Sequence, residues 1–543
     1  MKKHEILSSQ ARAALFDPPT DSAAIVRNYT FSPADMALIG QRRGAANRLG
    51  FAVHLAYLRF PGRAPRPEET PPAEMLTFIS AQIGCEPEEF ASYARRSETR
   101  WEHLGGLQTY LNARPFRRED RRAVVQAGIE EGAGFDRGDA IVSAMIAYLR
   151  ERNIWLPASS ELERLALAAR AIARKRAYRG LAEGLSLETT AALDALLIVT
   201  DERERTPFAW LREWPEAPRQ KNLLAVVQRL EAVRKLGVGA DREKRIHRAR
   251  YAAIAREITI LVSRDISRFD ASRRLATLVV FAHEMEIALT DAALAMFDKM
   301  LGAVFRRADR AHNDNMVDRA KTLDASARAL LGMAKAMLVA KEKGEDQVVA
   351  VERALGWERL KTLVLETEAA GARPDNLGEI VERYASVRRM SPVILGAFVF
   401  RSWKEHDPLL TALDVVRELH ASGAKKLAAR SPTSFLRSTW RKLVKTNVGT
   451  DRRAYEVAVM IALRERLRSG DVWVEGSRAF RAFDDFLLPR DAFENRRKAD
   501  DLGLAVPDRF EDWRDDKAKR LETRLGEVDA LTAAGEFARG LTH

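Results

Sequence analysis

The sequence predicts a mainly α-helical, multidomain protein with a short mixed α/β segment near its C-terminal end. Three observations carry this. Apolar residues recur at spacings of three and four through most segments, the period of a helix with one buried face. Ala, Leu, Arg and Glu are abundant, which suits helix propensity. The chain has 543 residues, more than one hydrophobic core normally accommodates. No fixed-period repeat is present, so a regular solenoid is not supported.

The elements follow in order. Ser32 is placed to cap a helix, Pro33 suits its first position, and Asp35 sits three residues after the cap. Gly44 offers a turn, and a second helix is expected from about Ala45 to Phe60. Leu49, Ala52, Val53 and Ala56 fall on its core face, while Asn47, Arg48, Phe51, His54 and Arg59 lie partly away from it. The Pro-rich run from Phe60 to Pro72 reads as an extended linker. A second helical unit follows, with a helix start at Glu86-Pro87-Glu88-Glu89. A break at Trp155–Ser160 leaves Ser160 to cap a helix beginning at Glu161. The stretch from Thr206 to Pro218 reads as a turn between helices. Asp241 to Lys343 has few breakers and reads as long helices, ended by Gly371–Pro374. Asp471–Val474 and Ser477–Phe480 are the best short strand candidates. The expected units are residues 1–66, 73–155, 160–240, 241–370 and 371–543.

Composition bounds the function. The chain is 46% apolar and 31% charged, with a net charge of +13 and a pI near 9.8. That balance favours an anionic partner such as nucleic acid. The single cysteine, Cys85, permits no intrachain disulfide and no cysteine-based zinc site, which suits a reducing cytoplasm. No signal peptide or membrane-length apolar run is read from the sequence, so a cytoplasmic protein without a membrane partner is expected.

The opening helix pair has the outline of a helix-turn-helix. Asn47, Arg48, His54 and Arg59 are candidates for base contact, since Asn and Arg make bidentate contacts to adenine and guanine edges. Arg42 and Arg43 at the turn are placed for phosphates. A plain helical hairpin with solvated arginines has the same periodicity. Arg95, Arg96 and Arg100 beside Tyr93 and Trp101, then Arg117 and Arg118 with Arg121 and Arg122, form a second basic cluster interleaved with aromatics. Arg174, Lys175 and Arg176, with Tyr178 and Arg179, form a third. Arg245 and Arg248, among Arg242, Lys244, His247 and Arg250, form a fourth. Each alone is ordinarily a solvated helix face; one per helical unit points to a polyanion track.

Catalytic signals are weak. The histidines show no ligand spacing, and neither a phosphate-cradling glycine loop nor a serine nucleophile elbow is present. Asp471, Asp484 and Asp485 could hold magnesium, yet turn and cap roles explain them as well. No small-molecule substrate is implied.

The strings at residues 25–63, 99–116, 241–281, 388–400 and 451–489, in collinear order, resemble the N-terminal, non-catalytic portion of class II replicative transposases, the Tn-three family, whose transposase is called TnpA. The resemblance implies tandem helical units that bind the transposon's terminal inverted repeats as double-stranded DNA, then linker and dimerisation regions, and a homodimer. It places an RNase H-like domain, with a magnesium-binding acidic triad, beyond the equivalent of His543. No carboxylate here inherits that role, no cofactor is expected in this chain, and it is not expected to cleave DNA alone. The competing expectation is a helical protein-binding scaffold whose positive charge is incidental.

Overall fold

The computed structural model describes residues 6–93, 97–200, 205–214, 217–239, 241–371, 376–424, 426–427, 431–447, 449–498 and 510–533. The architecture is mainly helical, with two small two-stranded antiparallel sheets among the described residues. The chain divides into two compact units, Met1–Ala397 and Phe398–His543. Among the described residues no helix is long and apolar enough to cross a membrane.

The first unit has two separate apolar cores near its N-terminal end. One gathers Ile25, Tyr29, Ile39, Leu49–Leu58, Met75, Ile79 and Leu107. The other joins Ile6, Leu7 and Phe16 to residues between Val124 and Ala173. Packing therefore cuts across the units drawn from the sequence. The N-terminal helix Ser9–Phe16 leaves the first core and docks on the second, where Arg12 pairs with Glu163 at 2.6 Å. A Cβ at Gly138 would collide with the Ile6 carbonyl oxygen, so only glycine admits this crossing. Helix Ser159–Ala182, expected to open a third unit, completes the same core. It approaches helix Asp120–Gly134 closely, because Gly128 and Gly132 face Ala169 and Ala173.

The spine of the first unit is helix Ala271–Lys343, 73 residues long, or about 110 Å at the usual rise. Asp270 caps it through the Ser272 and Arg273 amides, each at 3.1 Å, and Gly344 ends it in the left-handed region at φ 71°. Buried residues crowd its first half, from Ala276 to Ala308, whereas only Ser326 and Ala340 are buried beyond that. Helices Ser159–Ala182, Gln220–Lys235 and Arg248–Ile260 pack on this spine, and Gln347–Ala354 and Trp357–Gly371 fold back against it.

The second unit is built around helix Arg452–Ser469, buried from Ala454 to Ile461. Helices Pro408–Ser422 and Ser438–Val444 pack on it. Strand Phe400–Ser402 pairs with Val472–Val474. The Asp471–Val474 expectation thus gives a strand, but Ser477–Phe480 does not. There the chain turns: the Ser477 amide donates to the Val474 carbonyl at 3.2 Å, and the Phe480 amide donates to Ser477 Oγ at 2.7 Å. A buried carboxylate fixes the strand to the helices. Asp407 accepts from Ser402 Oγ at 2.7 Å, from the Leu409 amide at 2.8 Å, and from Arg466 at 2.6 and 2.8 Å.

Candidate nucleic-acid interface

The opening helix pair forms as its sequence indicates. Ser32 Oγ accepts from the Asp35 amide at 3.2 Å and Asp35 Oδ2 accepts from the Ser32 amide at 2.7 Å, a reciprocal cap on helix Pro33–Gly40. Gly44 takes φ 85° before helix Ala45–Arg59. That second helix is not a surface helix. Every residue from Leu49 to Leu58 is buried, including Phe51 and His54, which local periodicity turns away from the core. The short turn Pro87–Ser92 and helices Ala73–Ile83 and Ser97–Tyr110 cover the face expected to be free. Only its first turn and Arg59 reach solvent.

His54 is held inside. Its Nδ1 donates to the Gly50 carbonyl at 2.8 Å and its Nε2 has no partner. Tyr93 lies on the helix at Gly50, where a Cβ would collide with its ring. Tyr93 stacks on His103 at 5.6 Å and shares a 3.0 Å hydrogen bond with its Nδ1. Burial lowers both histidines to about 4, helped for His54 by the Arg100 and His103 charges and for His103 by Arg42. Both rings are neutral in the folded state and protonated in the unfolded chain below pH 6.5. Stability is therefore expected to fall as pH drops from 6.5 to about 4, and to feel no further effect of these rings below that. Each ring contributes a slope of about 1.4 kcal/mol per pH unit. Urea titrations across that range check this; a His54→Asn variant should show a shallower slope, and an equal slope would refute the burial account.

Several of the arginines named from the sequence are engaged by the protein itself, and others are not. Arg59 forms a two-point ion pair with buried Asp35, at 2.5 and 2.7 Å, and Tyr110 donates to the same carboxylate at 2.7 Å. Arg42 lies 4.3 Å over the Phe51 ring. Asn47 Nδ2 donates to the Arg43 carbonyl at 3.0 Å, and half-buried Arg48 keeps an Nε without a partner. Arg43 is exposed. Arg95 and Arg96 lie outside the described residues. Arg100 donates to the Pro65 carbonyl, and Arg117 pairs loosely with Glu119 at 3.6 Å. Arg118 and Arg122 are exposed.

The third and fourth clusters come together at one joint. Asp136 accepts Arg174 at 2.9 Å and Arg250 at 2.5 Å, and Arg250 also donates to the Gly132 carbonyl at 2.5 Å. Burial raises the Asp136 carboxyl, but hydrogen bonds and charge from Arg174 and Arg250 outweigh it and hold the pKa below the usual range. Arg245 donates to the Glu183 carbonyl at 2.7 Å and Arg242 to the Leu181 and Glu183 carbonyls at 3.1 and 2.8 Å, closing the end of helix Ser159–Ala182. Ile246 sits against Gly180, with 3.4 Å to the position of a Cβ. Arg174, Arg242, Arg245 and Arg250 thus build the joint. Lys175, Arg176, Arg179 and Arg248 are left exposed around it, without an ion-pair partner among the described residues. Arg179 gains a weight that its sequence position did not give it. The carboxylates Asp35 and Asp136, which decide which arginines are occupied, carry no sequence signal of that role beyond Asp35's capping position.

Asp471 Oδ2 accepts from Ser469 Oγ at 2.7 Å, and Asp484 and Asp485 lie in the exposed turn Phe483–Phe486. Among the described residues no group of three or more His, Cys, Asp or Glu could hold a metal ion.

Residues 6–169 match a family model described as a domain of unknown function, DUF4158. The chain is 35% identical over 540 residues to the transposase for transposon Tn3926 of Escherichia coli, covering 99% of this chain and 54% of that protein. It is 33% identical to the transposase for transposon Tn501 of Pseudomonas aeruginosa, over 99% of this chain and 55% of that protein. The transposase for transposon Tn1546 of Enterococcus faecium is 29% identical over 96% of this chain and 53% of its own length. The chain spans about half the length of the curated relatives it matches.

Proposed function

We propose that this chain is a TnpA-like portion of a Tn-three-family transposase, given its similarity to such transposases along 99% of its length, and that it binds the terminal inverted repeats of a transposon as double-stranded DNA during replicative transposition. The observation that carries the reading is the basic surface around the Asp136 joint. Lys175, Arg176, Arg179 and Arg248 stand exposed there, while neighbouring arginines are spent on holding the helices together. Exposed cations on helix Ser159–Ala182 and at the start of helix Arg248–Ile260 suit a phosphate backbone, which needs positive charge and no particular base.

Sequence readout belongs at the turn before helix Ala45–Arg59. Arg43, Asn47 and Arg48 occupy the part of that pair still open to solvent, and N-terminal residues of such a helix are the ones that reach base edges. His54 and Arg59 drop out of this role, because one is enclosed and the other holds Asp35. Dimer formation through the later helices is part of the same proposal.

Binding of the purified chain to its element's inverted-repeat duplex, against a scrambled duplex at two salt concentrations, tests this. The repeat should bind more tightly, and the gap should persist as salt weakens both. Asn47→Ala with Arg48→Ala should narrow the gap, each lost base contact being worth about 1–3 kcal/mol. Equal affinity for both duplexes would sink specific recognition. Failure to bind heparin at moderate salt would favour a protein-binding scaffold instead.

A further inference from the structure

The second unit carries a surface that the duplex reading leaves unused. In the strand pair, Phe400 lies opposite Val474 and Arg401 opposite Trp473. Strand alternation sends Phe400, Val472 and Val474 into the core, where all three are buried, and leaves Arg401 and Trp473 on the outer face. Trp403, just past the first strand, joins that face. Its ring centroid is 4.8 Å from that of Trp473, with the planes tilted by 44°. Trp403 is 53% exposed and Trp473 half-buried. Packing does not account for a tryptophan left so open beside another, since such rings carry a large apolar area that folding normally covers.

We infer that the Trp403–Trp473 pair is a stacking platform for unpaired nucleobases, with Arg401 and Lys404 holding the adjoining phosphates. An aromatic face stacks any base, for about 1–3 kcal/mol each, without reading its hydrogen-bonding edge. A duplex hides its base faces in its own stack, so the platform prefers unpaired strands. Charge favours a nucleic acid over an apolar peptide. The Arg401 side chain is 55% exposed, Lys404 is exposed, and residues 398–490 hold 18 Lys and Arg against 11 Asp and Glu. Glu475 stands 3.4 Å from Arg401. A contact between two such exposed side chains is weak and gives way to a phosphate.

The test compares a blunt duplex with the same duplex carrying a short single-stranded oligothymidine tail, each titrated with the full chain. The tail should tighten binding roughly ten-fold, the equivalent of one stacked base. Trp403→Ala should remove most of that gain and leave blunt-duplex affinity unchanged, while Trp403→Phe keeps part of it. Trp403 is exposed, so its removal spares the core. No gain from the tail, or a gain that survives Trp403→Ala with Trp473→Ala, overturns the proposal. So does equal weakening on both DNAs, or a change in the chain's self-association by sedimentation, which would make the face a protein contact. The blunt-duplex arm reports on the duplex-binding reading separately.

Discussion

Replacing Lys175, Arg176 and Arg179 together with Gln is expected to lower duplex affinity on the order of a hundred-fold near 0.1 M salt. Each phosphate contact releases close to one counterion, so three lost contacts flatten the salt dependence by roughly 2.7 units of log–log slope. The three side chains are exposed on helix Ser159–Ala182, and the buried face of that helix is made by Leu162, Ala166, Ala169, Ala173, Ala177 and Leu181. The variant should therefore fold as the parent does. It should weaken repeat and scrambled duplexes alike, because phosphates carry no sequence. Arg174→Gln is the contrasting variant. It removes one arm of the Asp136 joint and should loosen the helices more than it weakens the first encounter with DNA. If the triple variant binds with unchanged affinity and salt slope, the basic surface is not the clamp.

Asp35→Ala is expected to destabilise the first core by about 3 kcal/mol, near the lower end for breaking a buried pair, because Arg59 is about one-third exposed and can turn to water. The carboxylate accepts from the Ser32 amide at 2.7 Å, Ser32 Oγ at 2.8 Å, Arg59 at 2.5 and 2.7 Å, and Tyr110 at 2.7 Å. It thereby ties the start of one helix to the end of the next and to helix Ser97–Tyr110. Burial would raise its pKa, but the hydrogen bonds from Arg59, Ser32 and Tyr110 overcome that and bring it down to about 2. A carboxylate with a depressed folded pKa stabilises fully above its unfolded value near 4, and the contribution is lost as pH falls from there to about 2. Hydrogen exchange in residues 25–107 should accelerate in the variant, and a double-mutant cycle with Arg59→Ala should show coupling. Additive effects of the two changes would remove Asp35 from the centre of this unit.

These two predictions divide along what could be read from the chain. The Ser32 cap, Pro33 start, Gly44 turn and helix from Ala45 were all legible, because each is a local preference acting within a few residues. The strand within Asp471–Val474 was legible too, and so was the long-helix character of Asp241–Lys343, though not that short elements precede one helix starting at Ala271. The basic clusters were visible as well, but not their division into holders and exposed cations. Arg59 meets Asp35 across 24 residues, Arg174 meets Asp136 across 38, and Arg245 reaches Glu183 across 62. No local pattern carries such pairings.

By itself the sequence determined a basic, helical chain with a capped helix pair at its head. The tertiary structure alone decided that the second of those helices is a core rod beyond its first turn, with only that turn and Arg59 left open to solvent. Periodicity reports one helix's own polar stripe. Helices packed over that stripe bury Phe51 and His54 regardless, since the apolar area they cover outweighs the cost of enclosing one neutral imidazole.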